Sequence, residues 1–137
     1  MQQQFMMSNP QDVYLKQGVL TANPLELIIM LYDGMKKDLM LAQRAIVKND
    51  MASAHKNLIK AQNIVIELMN CLDLSLSISN DLMDLYEFIL HSLEGINIKK
   101  DADAITPILE IVGTLRDTWQ EVNVSQKSLM RFSEEAE

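Results

Sequence analysis

His55, His91, Cys71 and the carboxylates near them are the side chains from which a catalytic or metal centre would have to be built. A di-iron bundle needs paired Glu-x-x-His elements with further inward glutamates, and the nearest approach, Glu87 with His91, has the wrong spacing. The two histidines fall on different helical stretches without a Cys or Asp constellation around them, a pattern of surface or internally satisfied histidines. There is no phosphate-binding glycine loop, nucleophile elbow or Cys-x-x-Cys pair. Cys71 lies among Leu68, Met69 and Leu72 and reads as an inert, partly buried thiol. No catalytic, cofactor-binding or metal-ligating residue is assigned, and no enzymatic activity is expected.

The net charge of -7 comes without a basic stripe, so the surface repels phosphate backbones and anionic headgroups and argues against nucleic acid or membrane as partner. A single cysteine forms no internal disulfide, which fits a reducing cytoplasm. No signal core is visible, and no apolar run approaches the roughly 20 residues of a membrane span. At 137 residues one domain can bury about two thirds of its unfolded surface. Only 5% aromatic residues, four glycines and three prolines favour helices over broken strands.

The elements follow from local signals. In Thr21-Ala22-Asn23-Pro24, Asn23 is an N-cap, Pro24 needs no donor at the first helical position, and Glu26 can close a capping box. Leu27, Leu31, Met35, Leu39, Ala42 and Ile46 then recur along one buried face. Gly34 interrupts this helix at a cost of about 1 kcal/mol relative to alanine. Such a glycine implies close approach of another backbone, from a neighbouring helix or from a bound partner segment.

Asp50 caps a second helix running to about Leu72, with Ala54, Leu58, Ala61, Val65, Leu68 and Leu72 as an antiparallel bundle seam. Ser79 or Asn80 is expected to cap a third helix that turns Leu82, Leu85, Tyr86, Ile89 and Leu93 inward and frays at Gly95. Ile105, Ile108, Val112, Leu115 and Trp119 define a fourth. Either Asp101 caps this helix and Pro107 kinks it, or it starts at Thr106 with Pro107 in the first position. The expected organisation is a mobile head at residues 1–10, one bundle domain at 11–122 and a flexible acidic tail at 123–137. The fold class is all-α: an antiparallel up-and-down four-helix bundle with a short N-terminal helix or strip, Asp12 to Leu20, packed across it.

These helices carry more apolar residues than a single core stripe requires. Met30, Leu41, Ile59, Ile66 and Leu90 fall away from the seams, and ten methionines supply flexible, polarisable side chains that suit either an ordinary core or an adaptable groove. A second apolar face has to be covered by another internal element or by a partner.

Tyr14, Gln17 and Val19 followed by Thr21-Ala22-Asn23-Pro24, Glu26-Leu27 and Leu31-Tyr32-Asp33-Gly34 form a composite pattern. Further motifs are Lys60-Ala61-Gln62 with Ile64, Glu67-Leu68 and Leu72-Asp73; Leu82 with Leu85-Tyr86; Asn97-Ile98 with Asp101; and Leu115-Arg116-Asp117-Thr118-Trp119. In order and spacing the set resembles the FliS family of flagellar secretion chaperones, from Tyr14 to about Glu121. The glycine pair usual after the Leu-Asp motif is absent, Leu74–Asn80 is shorter, and Thr118 stands where alanine is common.

The resemblance implies a cytosolic bundle that binds the disordered C-terminal segment of flagellin in apolar grooves, prevents premature polymerisation and delivers it to the flagellar type III export apparatus. It implies contact with the export gate, and with other flagellar regulators, by a monomer or weak dimer. The expected partner-binding residues are Tyr14 and Val19 on a movable cover strip, with Met30, Tyr32 and Gly34 beside Ile64, Leu68 and Leu72. Leu31, Leu58 and Val65 are expected in the core. The alternatives are a self-associating structural bundle or a regulator sequestering another flagellar protein.

Overall fold

The structure, a computed structural model, describes residues 24–136, with side chains from 25 to 125. Residues 1–23, which hold Tyr14, Val19 and the rest of the expected cover strip, lie outside the described residues. Four helices make up the fold: α1 (Pro24–Val47), α2 (Met51–Asn70), α3 (Ser77–Lys99) and α4 (Ile105–Ala136). Among the described residues there are no strands, and no helix is long and apolar enough to cross a membrane. Leu31–Asp117 forms one compact unit, while residues 24–30 and 118–136 fall in a second.

Within the unit Leu31–Asp117, side-chain pairs fix the direction of each neighbour. Lys60 reaches Asp38, and one turn away Ile64 faces Gly34, so α1 and α2 run antiparallel. Arg116 bonds Asp33 while Gln43 bonds Ala102 and Thr106 at the other end, which makes α1 and α4 antiparallel. His55 near the start of α2 meets Asn97 near the end of α3. The result is the up-and-down bundle that the helical periodicity and short connections favour.

The α2 seam follows its predicted period through Ala54, Leu58, Ala61, Val65 and Leu68, all buried, while Leu72, expected to continue it, is half-buried beyond the end of the helix. Met35, Leu39 and Ala42 of α1, Ile89 and Leu93 of α3, and Ile105 and Val112 of α4 join it in the core. Burying one such side chain contributes about 1.5 to 3 kcal/mol relative to leaving it in water.

The α1–α2 connection uses every residue. Asn49 adopts a left-handed conformation (φ 61°), its N–H bonding Ile46 O at 2.9 Å and that of Asp50 bonding Ala45 O at 2.8 Å. This pairing satisfies the free carbonyls at the end of α1. Asp50 Oδ1 then accepts from Ser53 N at 3.2 Å and caps α2. That bond holds the Asp50 carboxyl below its usual value.

Four boundaries differ from expectation. α3 begins at Ser77 with Leu76 in the cap position and no side-chain cap, while Ser79, expected as the cap, is a buried helical residue. Upstream, Asp73 Oδ1 accepts from Ser75 N and Oγ at 3.1 and 2.6 Å, and that turn sets the chain direction into the helix. Gly95 does not end α3, which continues to Lys99 and stops where Lys100 turns left-handed (φ 52°) with its N–H on Ile96 O. α4 starts at Ile105, not Thr106, with Pro107 in its first turn where the missing N–H has no intrahelical partner to lose. Asp101 supports the preceding turn through the N–H groups of Asp103 and Ala104. Helical backbone runs on to Ala136, through the segment expected as a tail, and no glycine or proline follows Gly113 to interrupt it.

Candidate partner-binding surface

Three consecutive residues of α1 each reach a different helix. Tyr32 is fully buried and its hydroxyl lies 2.5 Å from that of Tyr86 on α3. Asp33 accepts from Arg116 Nε on α4 at 2.9 Å. Gly34 faces α2, where a Cβ added to it would lie 3.4 Å from Ile64 Cδ1. Successive helical positions point about 100° apart, so one turn of α1 serves as the node where three neighbours are registered.

The close approach at Gly34 is therefore to a side chain and not to another backbone. The separation is ordinary van der Waals contact, so glycine is not forced by packing within this unit. It lowers the wall of α1 opposite Ile64 and leaves both residues half-buried.

The other expected partner-binding residues divide. Leu68, one turn beyond Ile64, is buried, and Leu72 is half-buried just past the end of α2. Gly34, Ile64 and Leu72 thus keep accessible surface, whereas Tyr32 and Leu68 are buried. Met30 is 37% exposed and falls in the second compact unit. Tyr14 and Val19 lie outside the described residues.

Of the apolar residues expected beyond the seams, Leu41 and Ile66 are exposed, whereas Ile59 and Leu90 are half-buried. The sequence reading missed Phe88 and Ile98, both exposed on α3, and the trio Leu74, Leu76 and Ile78 around its start. The signal for Phe88 and Ile98 was available, because both fall opposite the Tyr86, Ile89 and Leu93 face in the helical period.

Asp38 is buried with Lys60 Nζ 3.7 Å from its carboxylate. Burial pushes the Asp38 carboxyl up, against the opposing pull of Lys60 and Lys37. Arg116 also contacts Asp117 at 3.5 Å, and its carboxylate partners, Asp33 foremost, raise the guanidinium further. His55 pairs with Asn97 and His91 with Glu94. Cys71 is exposed at the end of α2, and desolvation of the thiol followed by the Glu67 charge raises its pKa, which disfavours the reactive thiolate. Among the described residues no group of three or more His, Cys, Asp or Glu side chains could hold a metal ion.

Fold and site together define a helical-bundle protein with surplus apolar surface. The family model described as "Flagellar protein FliS" matches residues 6–127. The chain is 36% identical over 119 residues to the flagellar secretion chaperone FliS of Bacillus subtilis (strain 168), covering 87% of this chain and 90% of that protein. It is 27% identical over 115 residues to the protein of the same name from Salmonella typhimurium, covering 82% and 85%. A crystal structure of a bacterial flagellar chaperone shares the fold, with a TM-score of 0.70 at 18% identity over 82% of this chain and 93% of that one. The chain belongs to the FliS family.

Proposed function

We propose that this protein is a cytosolic chaperone of flagellar export that holds the disordered C-terminal segment of flagellin, keeps it from polymerising and passes it to the export gate. The observation that carries the reading is Gly34 opposite Ile64: an otherwise regular helix gives up helix propensity at a position where packing among the described residues has room for a methyl group. A client helix approaching there gains from the low wall. Gly34, Ile64 and Leu72 make the contact from the Leu31–Asp117 unit, and the buried Tyr32 and Leu68 fix the helices that carry them. Met30 contributes apolar surface from its own unit, and Tyr14 and Val19 act as the movable cover that the client replaces. The chaperone works as a monomer or weak dimer, and its further partners are the export gate and other flagellar regulators.

Coupled folding and binding of this kind buries on the order of 1,000 to 3,000 Å² and spends a few kcal/mol on ordering the client. The test is to titrate the protein with the C-terminal segment of flagellin from the same organism, following heat and helix content together. Saturable one-to-one binding with a gain in helix is expected. A folded protein that gives neither heat nor added helix sinks the flagellin reading.

A further inference from the structure

The face of α3 that points away from the core has a composition that the flagellin reading does not use. Asp84, Glu87, Phe88, His91, Gly95 and Ile98 recur at three- and four-residue spacings on the side opposite Tyr86, Ile89 and Leu93. Phe88 is 54% and Ile98 84% exposed, which places an aromatic and a β-branched side chain in water along about 15 Å of one helix. A Cβ at Gly95, between them, would meet nothing within 4 Å. No contact among the described residues accounts for glycine in the middle of this helix.

Charge selects the occupant. From Ser77 to Ile98, α3 carries four acidic residues and no lysine or arginine. Asp81, Asp84 and Glu87 make no ion pair among the described residues, and Glu94 is engaged only by His91. A second copy of this chain would bring the same negative face against itself. Residues 1–23 offer no net neutralising charge, with Asp12 and Lys16 as their only charged side chains, and residues 126–137 set Lys127 and Arg131 against Glu134, Glu135 and Glu137.

We propose that the outer face of α3, centred on Phe88, Gly95 and Ile98, docks a basic amphipathic helix of a second protein, at a site separate from the one that takes flagellin. Phe88 and Ile98 bury against the apolar stripe of that helix, its backbone passes over Gly95, and its flanking lysines or arginines meet Asp84 and Glu87.

The probe is a synthetic leucine–lysine peptide of about 18 residues, long enough for five helical turns, with its leucines on one face. A leucine–glutamate peptide of the same pattern is the control. Fluorescence anisotropy is read at low and physiological salt, with and without saturating flagellin C-terminal segment. The basic peptide is expected to bind one-to-one, more weakly as salt rises, and with unchanged affinity when the flagellin segment is present. Phe88→Ala is expected to weaken it about tenfold, as is typical for a buried aromatic anchor. Asp84→Asn with Glu87→Gln should flatten the salt dependence. Gly95→Gln, a change that improves helix propensity, should also weaken binding, whereas Ile66→Ala on α2 should not. Circular dichroism establishes that each variant is folded.

Equal binding by the parent and by Phe88→Ala with Ile98→Ala would overturn the proposal. So would equal binding of the acidic peptide. Displacement of the probe by the flagellin segment would return this face to the client site, and self-association abolished by Phe88→Ala would assign it to a second copy. Failure of flagellin to bind leaves the probe experiment readable, so the two readings stand or fall separately.

Discussion

Asp33 and Arg116 meet at 2.9 Å, tying the second residue after Leu31 on α1 to the residue after Leu115 on α4. The flanking residues repeat the pattern, since Tyr32 joins Tyr86 and Gly34 faces Ile64. Motifs far apart in the chain are therefore partners in space, and much of the family signature records the registration of four helices.

Loss of the Asp33–Arg116 contact should be non-additive. Arg116→Gln is expected to lower the thermal midpoint slightly, and adding Asp33→Asn should lower it little further, because the interaction is already gone. Both side chains retain solvent access, so the coupling should shrink with added salt. Thermal melts of the two single variants and the double variant, at two salt concentrations, measure it.

Tyr86→Phe removes a buried hydroxyl contact while keeping the ring. The expected cost is about 1 kcal/mol, with the denaturant slope unchanged. Urea unfolding of parent and variant gives this difference.

Gly34→Ala should separate stability from binding. The added methyl group reaches ordinary contact with Ile64, so the free protein should gain up to about 1 kcal/mol from helix propensity. Flagellin affinity should fall, because the low wall is filled. Gly95→Ala should give a similar gain in stability, since nothing stands within 4 Å of its added carbon, and leave flagellin affinity unchanged. Chemical unfolding and the flagellin titration provide the two readouts.

Asp38 should make stability depend on pH in the unusual direction for a carboxylate. Burial raises its pKa in the fold, so the folded state holds the proton more tightly than the unfolded chain. The stability from this group is fully present below the ordinary carboxylate value and falls as pH rises through the raised one. Asp38→Asn removes this titration, so the variant's stability relative to the parent should be greater at neutral pH than below the ordinary carboxylate range. Unfolding curves across acid to neutral pH decide the sign.

Legibility in the sequence followed the range of the interactions. The α2 face could be read because Ala54 to Leu68 obey one period and Asp50 is a strong local cap. The start of α3 could not, because Ser77, Ser79 and Asn80 all offer capping chemistry and the choice was made by the Asp73–Ser75 turn. Gly95 looked like a terminus since glycine often follows helices, yet the stop came from left-handed Lys100. At the surface, the composition exposed a surplus of apolar residues. Which of them lie beneath and which remain open depends on how neighbouring helices are registered. Tyr32 and Gly34 are two positions apart, but only the bundle places the first in the core and the second at its edge.

Asp50 completes the turn that ends α1 and caps the helix that begins α2, leaving no residue between these tasks. Mechanically, that joint is a welded elbow. Changing the angle between its two arms breaks bonds on both sides at once, so any flexing of the frame must come from elsewhere.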